Sequence, residues 1–230
     1  MSPCVTFLQH SDLDVPGVLD RLSREAGCET RVCRADRGTT SLPEVGSLDV
    51  LVVLGSGESV NDTSVPWIAP ERAVVAGAVA AGVPVLGVCF GGQLLAQVLG
   101  GQVTRAAEPE IGWRTIESVD PGRIPSGPWL EWHEDTFTAP PGSESLACTG
   151  TSLQAFVAGI HTAVQFHPEV TREIVVRWVD DARERGRLRS DQAEDLLGGF
   201  PGARPGAGIG PESPTATLFD GFLLRAGYRR

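Results

Sequence analysis

A short apolar run, Val83-Pro84-Val85-Leu86-Gly87-Val88, leads directly into Cys89, and an apolar helical pattern follows over Phe90-Gly91-Gly92-Gln93-Leu94-Leu95-Ala96. Val85 to Val88 is expected to be a buried strand, preceded by the breakers Gly82 and Pro84. A strand that becomes a helix within one residue needs a sharp turn, and Cys89 stands on it. At a helix N-terminus the positive end of the dipole favours negative charge on the sulfur. Gly91 and Gly92 keep bulk away from it and let backbone N–H groups approach whatever it attacks. The same residues also suit a small buried cysteine in a tight turn, since free cysteine is often buried. The choice between a nucleophile and a packing residue depends on what else the chain supplies.

A second apolar run, Ala163-Val164-Gln165-Phe166, ends in His167-Pro168-Glu169. Pro168 disfavours helical geometry at His167, so the imidazole is expected on extended backbone at a strand end. Residues two apart on extended chain point the same way, so Glu169 can accept the second ring N–H of His167. A nucleophile, a base and a group that orients the base is the logic of nucleophilic catalysis on any fold.

The rest of the chain alternates strand and helix. Pro3 to Leu8 reads as a strand, and Val15, Val18, Leu19, Leu22 and Ala26 fall at helical spacing before Gly27. Thr30 to Cys33 and Asp49 to Leu54 read as strands, and Pro70 opens a helix that stops at Gly82. Such alternation favours an α/β fold, a mostly parallel central sheet with helices on both faces. In sheets of this kind ligands sit beyond the carboxyl ends of the strands, so Gly55, Cys89 and His167 are expected to converge on one cleft. From Gly101 to Phe166 the pattern changes to shorter strands between Pro/Gly turns, a small antiparallel extension of the parallel core. Thr171 is the expected N-cap of a helix running to about Arg183, and Arg183 to Arg189 a solvated charged face. The predicted organisation is one domain over 1–197, a Gly/Pro-rich loop over 198–214, and a helix over 215–230 docking on the same domain.

Gly87-Val88-Cys89-Phe90-Gly91-Gly92-Gln93 and Gln165-Phe166-His167-Pro168-Glu169 resemble the two signatures of class I glutamine amidotransferases. More narrowly, the chain is similar to the stand-alone proteins that resemble the amidotransferase domain of GMP synthase. That narrower likeness rests on Phe7-Leu8-Gln9-His10, Ser59-Val60-Asn61-Asp62, Glu110-Ile111-Gly112-Trp113 and Trp132-His133-Glu134-Asp135-Thr136-Phe137. The resemblance implies a flavodoxin-like fold and a Cys89, His167, Glu169 triad that hydrolyses the side-chain amide of glutamine through a γ-glutamyl thioester. It implies an oxyanion hole from the Phe90 N–H and an N–H of the loop Gly55-Ser56-Gly57, at Ser56 or Gly57. It places Gln93 beside the bound glutamine, and His133 and Asp135 on a loop near it. No metal or cofactor is implied, and ammonia would pass to a separate synthetase or amide-forming ligase subunit. Related proteins usually carry Gly-Gly-Pro where this chain has Gly55-Ser56-Gly57. The change removes a fixed φ angle beside the oxyanion site, so stronger dependence on a partner is expected.

Composition narrows the alternatives. A net charge of −10 argues against nucleic acid or anionic membrane as the main partner. No lysine is present, which excludes lysine Schiff-base chemistry. Cys4, Cys28, Cys33, Cys89 and Cys148 form neither a disulfide framework nor a zinc spacing, which with the absence of a leader or long apolar run points to the cytoplasm. The 230 residues contain no phosphate-loop signature for ATP.

His133 and Asp135 also suit a plain turn with the carboxylate capping a backbone N–H. Glu110, Trp113, His10, His161, Trp67, Trp129 and Trp178 read as structural, and neither His10 nor His161 has an evident partner in the sequence. Three functions stay open at this level: a glutaminase serving a synthetase, a stand-alone hydrolase of γ-glutamyl amides with the same triad, and a non-catalytic binding protein.

Overall fold

The computed structural model describes residues 2–200 and 213–228. Strands β1 (Cys4–Gln9), β2 (Glu29–Arg34), β3 (Val50–Val53) and β4 (Val85–Val88) alternate with helices α1 (Val18–Glu25), α2 (Ile68–Ala80) and α3 (Phe90–Val98). Between α3 and helix α4 (Arg172–Glu184) come six strands: β5 (Val103–Arg114), β6 (Glu117–Ser118), β7 (Trp129–Phe137), β8 (Glu144–Cys148), β9 (Leu153–Ala158) and β10 (His161–Val164). Helices α5 (Ser190–Gly198) and α6 (Pro214–Arg225) complete the described chain.

The main sheet runs in the order β2-β1-β3-β4-β10-β9-β8-β6. Its first five strands pair in parallel, and β9, β8 and β6 continue it antiparallel. The chain passes from β1 outward to β2 and returns past β1 to β3, which makes a switch point where loops diverge at the strands' carboxyl ends. Strands β3, β4 and β10 are buried along their whole length because both faces are covered. Val50 and Val52 face α1 and α6, and Leu51 and Val53 face α2 and α3, the two-residue period dividing each strand between two cores. A third apolar cluster joins α4 and α5 to Leu130 of β7.

The antiparallel extension differs from the sequence expectation in one respect. Strands β6, β8 and β9 do extend the core sheet, but β5 and β7 pair with each other as a separate two-stranded sheet. They are long strands of 12 and 9 residues, not short ones. Their register shifts between Arg105 and Glu110, and Pro109, which has no N–H to give a ladder, lies in that irregular stretch.

Helix boundaries move little. α2 starts at Ile68, so Pro70 falls in its first turn, where a missing N–H costs nothing. Thr171 caps α4 through its side chain, which accepts the Ile174 N–H. Helix α5 carries little mark in the sequence, since its buried apolar stripe is only Ala193 and Leu196, too sparse to read as a period. The predicted loop over 198–214 falls largely on residues 201–212, outside the described residues, while α6 contributes Leu218, Phe219, Phe222 and Leu223 to the α1 face of the core.

Candidate active site

The elbow at Cys89 is built by close backbone contacts. Among the described residues Cys89 is the one non-glycine with positive φ, at 50°, and it is the N-cap of α3. Holding a side chain there costs on the order of 1–3 kcal/mol, which the surroundings must over-determine. They do so with hydrogen bonds from Cys89 N–H to Val164 O at 2.8 Å and from Gly91 N–H to Leu54 O at 3.2 Å. A Cβ on Gly91 would collide with the Val53 carbonyl, and one on Gly92 would lie 2.6 Å from the Val164 carbonyl oxygen. Glycine therefore lets α3 start directly against the ends of β3 and β10. Between the two committed amides lies the N–H of Phe90, the first helical residue, which has no partner within the helix.

His167 follows β10 by three residues and is held by its N–H to Leu130 O at 2.9 Å. Its Nδ1 lies 2.7 Å from Glu169 Oε1, with both side chains almost fully buried. The Trp178 ring packs edge-on against the imidazole at 4.8 Å between centroids. The turn that carries Glu169 is tied on both sides, by Val18 N–H to Glu169 O at 2.9 Å and by Thr215 Oγ1 to Pro168 O at 3.1 Å. Burial alone lowers the affinity of His167 for a proton, but the charges of Glu169 and Cys89 outweigh it and hold the pKa well above the usual 6.5. Nε2 is buried and makes no hydrogen bond in this arrangement. The thiol points to the Trp132 carbonyl at 3.9 Å, and Gln165 Nε2 donates to Sγ at 3.7 Å.

The Gly55 loop closes the site from β3. A Cβ placed on Gly55 would lie 2.9 Å from His167 Cε1 and 3.7 Å from Cys89 Cβ, so any side chain here would crowd both. Nothing lies within 4 Å of the corresponding position on Gly57. Ser56 Oγ accepts the Glu58 N–H at 3.2 Å, a local turn that partly restrains the loop. His10, which lacked an evident partner in the sequence, has two: its Nδ1 lies 2.7 Å from Gly55 O and its Nε2 2.8 Å from Glu71 Oε1.

Gln93, His133 and Asp135 form one connected group. Gln93 Nε2 donates to Asp135 O at 3.1 Å and, more weakly, to Gln165 Oε1 at 3.4 Å. His133 and Asp135 stand on strand β7, not in a turn or loop, and the Asp135 carboxylate accepts from Ser59 Oγ at 2.6 Å. His133 is buried, with Nδ1 3.0 Å from Asp135 O and Nε2 3.2 Å from Glu110 and 3.3 Å from Glu131, close enough for ion pairing but out of line for hydrogen bonds. Burial lowers its pKa, but the two carboxylates and the nearby sulfur charge raise it to about 9. Burial pushes Glu110 up, yet His133, Thr149 and Ser152 draw it down to about 2. Glu131 is the reverse: buried with neither oxygen hydrogen-bonded, its pKa is raised by desolvation, which the nearby His133 offsets only in part.

Cys89, His167 and Glu169 lie together and Gln93, His133 and Asp135 form a group linked to them through Gln165, but several of the supporting residues carry little mark in the sequence. Gln165 is marked only by its place in the second motif, and Glu131 and Glu71 lie outside every motif. Glu131 precedes His133 by two on a strand, which puts both on one face. Glu71 occupies the stripe Ile68, Glu71, Val75, Ala78, where the helical period calls for an apolar residue. Both signals were present in the sequence. The five cysteines are free, and among the described residues no cluster of His, Cys, Asp or Glu has metal-holding geometry. No helix among them is long and apolar enough to cross a membrane.

Comparison with known proteins agrees with this architecture. Residues 12–174 match the glutamine amidotransferase class-I family. One of the subunits of a glutamine-hydrolyzing GMP synthase from Sulfolobus acidocaldarius is 36% identical over 155 residues, covering 63% of this chain and 78% of that protein. A glutamine-hydrolyzing GMP synthase from Parafrankia is 36% identical over 129 residues, or 52% of this chain, but the match spans only 23% of the relative's length. The crystal structure of a glutamine amidotransferase from Methylobacillus flagellatus superposes with a TM-score of 0.82 at 27% identity, covering 98% of this chain and 96% of the other. One from Thermotoga maritima shares the fold, with a TM-score of 0.81 at 22% identity over 98% of this chain and 99% of the other.

Proposed function

The chain belongs to the glutamine amidotransferase class-I family, and from that membership we propose that it releases ammonia from glutamine through a thioester on Cys89 and supplies it to a separate synthetase. The observation that most supports this is Cys89 at a positive-φ helix start beside a histidine whose other nitrogen is held by Glu169.

In the proposed cycle His167 Nε2 takes the thiol proton of Cys89, Sγ attacks the side-chain carbonyl carbon of glutamine, and the carbonyl oxygen becomes an oxyanion held by the Phe90 N–H and an N–H of Ser56 or Gly57. The C–N bond then breaks, and His167, carrying a proton on Nε2, gives it to the departing nitrogen. Water attacks the thioester, His167 takes its proton, and the C–S bond breaks to leave glutamate and the free cysteine. Glu169 keeps the Nδ1 proton in place and stabilises the imidazolium throughout. Gln93, His133 and Asp135 border the substrate. Free ammonia is easily lost to solvent, so a glutaminase of this kind needs an acceptor enzyme, a reading in keeping with the Sulfolobus relative being one part of a GMP synthase.

The test is ammonia release from glutamine by purified protein beside Cys89→Ala, with a panel of γ-glutamyl amines in parallel. Release that vanishes in Cys89→Ala supports the glutaminase. Rapid cleavage of γ-glutamyl amines with glutamine ignored would instead establish a stand-alone γ-glutamyl amide hydrolase.

A further inference from the structure

His10 and Glu71 are a buried pair that the catalytic cycle above does not use. Both side chains have no solvent exposure, and they meet at 2.8 Å. Burying two ions costs several kcal/mol each before any gain from their attraction, so this pair is an expensive way to fill space. We propose that Glu71 and His10 are positioning residues: they pin the Gly55–Ser56 peptide and the start of α3, and so preform both halves of the oxyanion hole. The inference rests on the glutaminase reading above.

Gly55 O can only accept, so His10 Nδ1 carries a proton and donates to it at 2.7 Å. Nε2 faces a carboxylate, so a second proton there completes an imidazolium with two charge-assisted contacts. Burial lowers the pKa of His10, and the Glu71 charge with both hydrogen bonds more than reverses this. A peptide unit is planar and trans, so fixing the Gly55 carbonyl also fixes the Ser56 N–H on the opposite side.

The ring itself is clamped. Trp67 stacks on it at 4.9 Å with 25° between planes, and Phe90 packs at 4.9 Å and 58°. Phe90 is the residue whose N–H forms the other half of the proposed hole. One imidazole therefore touches the carbonyl of the loop and the side chain that opens α3. Gly55 in turn lies where even one added carbon would meet the His167 ring, so this peptide has little room to drift without disturbing the reacting groups. A Gly-Ser-Gly loop has no proline to hold its φ angle, and the buried strap supplies that restraint from the side.

The experiment compares wild type with His10→Phe/Glu71→Met, which replaces the ion pair by apolar groups that suit the Trp67 and Phe90 surroundings. Expected are a kcat for ammonia release lower by about 10- to 100-fold, a KM for glutamine within about twofold, and unchanged alkylation of Cys89 by iodoacetamide, which needs no oxyanion hole. The crystal structure of the double variant should show the Gly55–Ser56 peptide rotated or in several orientations. Glu71→Gln, which can still hold the ring, should keep kcat within about threefold. Full kcat in a folded double variant, or a Gly55 carbonyl unmoved in it, overturns the proposal. So does a folded Glu71→Gln that loses activity with the carbonyl in place. Wild type that releases no ammonia by itself would bear on the glutaminase reading alone, and the peptide orientation would still decide the strap.

Discussion

His167 Nδ1 lies 2.7 Å from Glu169 Oε1, which leaves Nε2 as the ring nitrogen available to exchange a proton at Cys89. Glu169→Gln keeps the shape but removes the charge that most raises the His167 pKa. Its amide also presents an N–H as readily as an oxygen to Nδ1, so the ring is no longer confined to one tautomer. Expected is a fall in kcat for ammonia release of about 10²-fold or more, with KM for glutamine changed little. Steady-state kinetics check it; a loss confined to KM would mean Glu169 shapes binding instead of proton transfer.

Gln165 is buried, with Nε2 3.7 Å from Cys89 Sγ and Oε1 3.4 Å from Gln93 Nε2. It links the nucleophile to the group around Asp135. Gln165→Leu deletes a donor that stabilises negative charge on the sulfur, while Gln93 keeps its bond to Asp135 O. Alkylation of Cys89 by iodoacetamide at neutral pH should slow by about 3- to 10-fold, since a hydrogen bond to a charged group is worth roughly 1.5–3 kcal/mol at full strength and this one is long. An unchanged rate would show that the contact does not bear on the thiolate.

The parallel core and the meeting of Cys89, His167 and Glu169 were legible because local signals there agree with the fold. Leu51 and Val53 alternate with Val50 and Val52 on a strand buried on both faces, and the glycines around Cys89 mark the sharp turn that joins β4 to α3. What sequence left open was set by contacts between distant segments. The register that brings Glu110 opposite His133 joins strands through an irregular stretch that no periodicity announces. The partners of His10 come from residues 45 and 61 positions away, and a histidine at a strand end carries no mark of either.

The tolerance of two glycines should differ sharply. A Cβ on Gly92 meets the Val164 carbonyl oxygen at 2.6 Å, a backbone atom of the strand that also fixes Cys89 N–H. Gly92→Ala should therefore destabilise the fold by at least about 1–3 kcal/mol and lower activity with it. Gly57 has open space around it and needs no positive φ, so Gly57→Ala should be neutral or stabilise by about 0.4–1 kcal/mol through the unfolded chain. Urea unfolding of both variants checks the contrast, and equal effects would contradict it.

The Glu110–His133 pair gives stability a defined pH dependence. His133 binds its proton more tightly folded than unfolded, with a pKa of about 9 against 6.5, so its contribution is complete below 6.5 and is lost as pH rises through 9. Glu110 is held at about 2 against 4.5, so its contribution is complete above 4.5 and is lost as pH falls through 2. Both act together between 4.5 and 6.5. The unfolding free-energy difference between wild type and His133→Gln should accordingly be largest near pH 6 and shrink by about 2–3 kcal/mol by pH 9.5. Urea unfolding across that range measures it. A difference that stays flat would mean His133 is neutral in the folded protein and that Glu131, not the imidazole, holds the proton there.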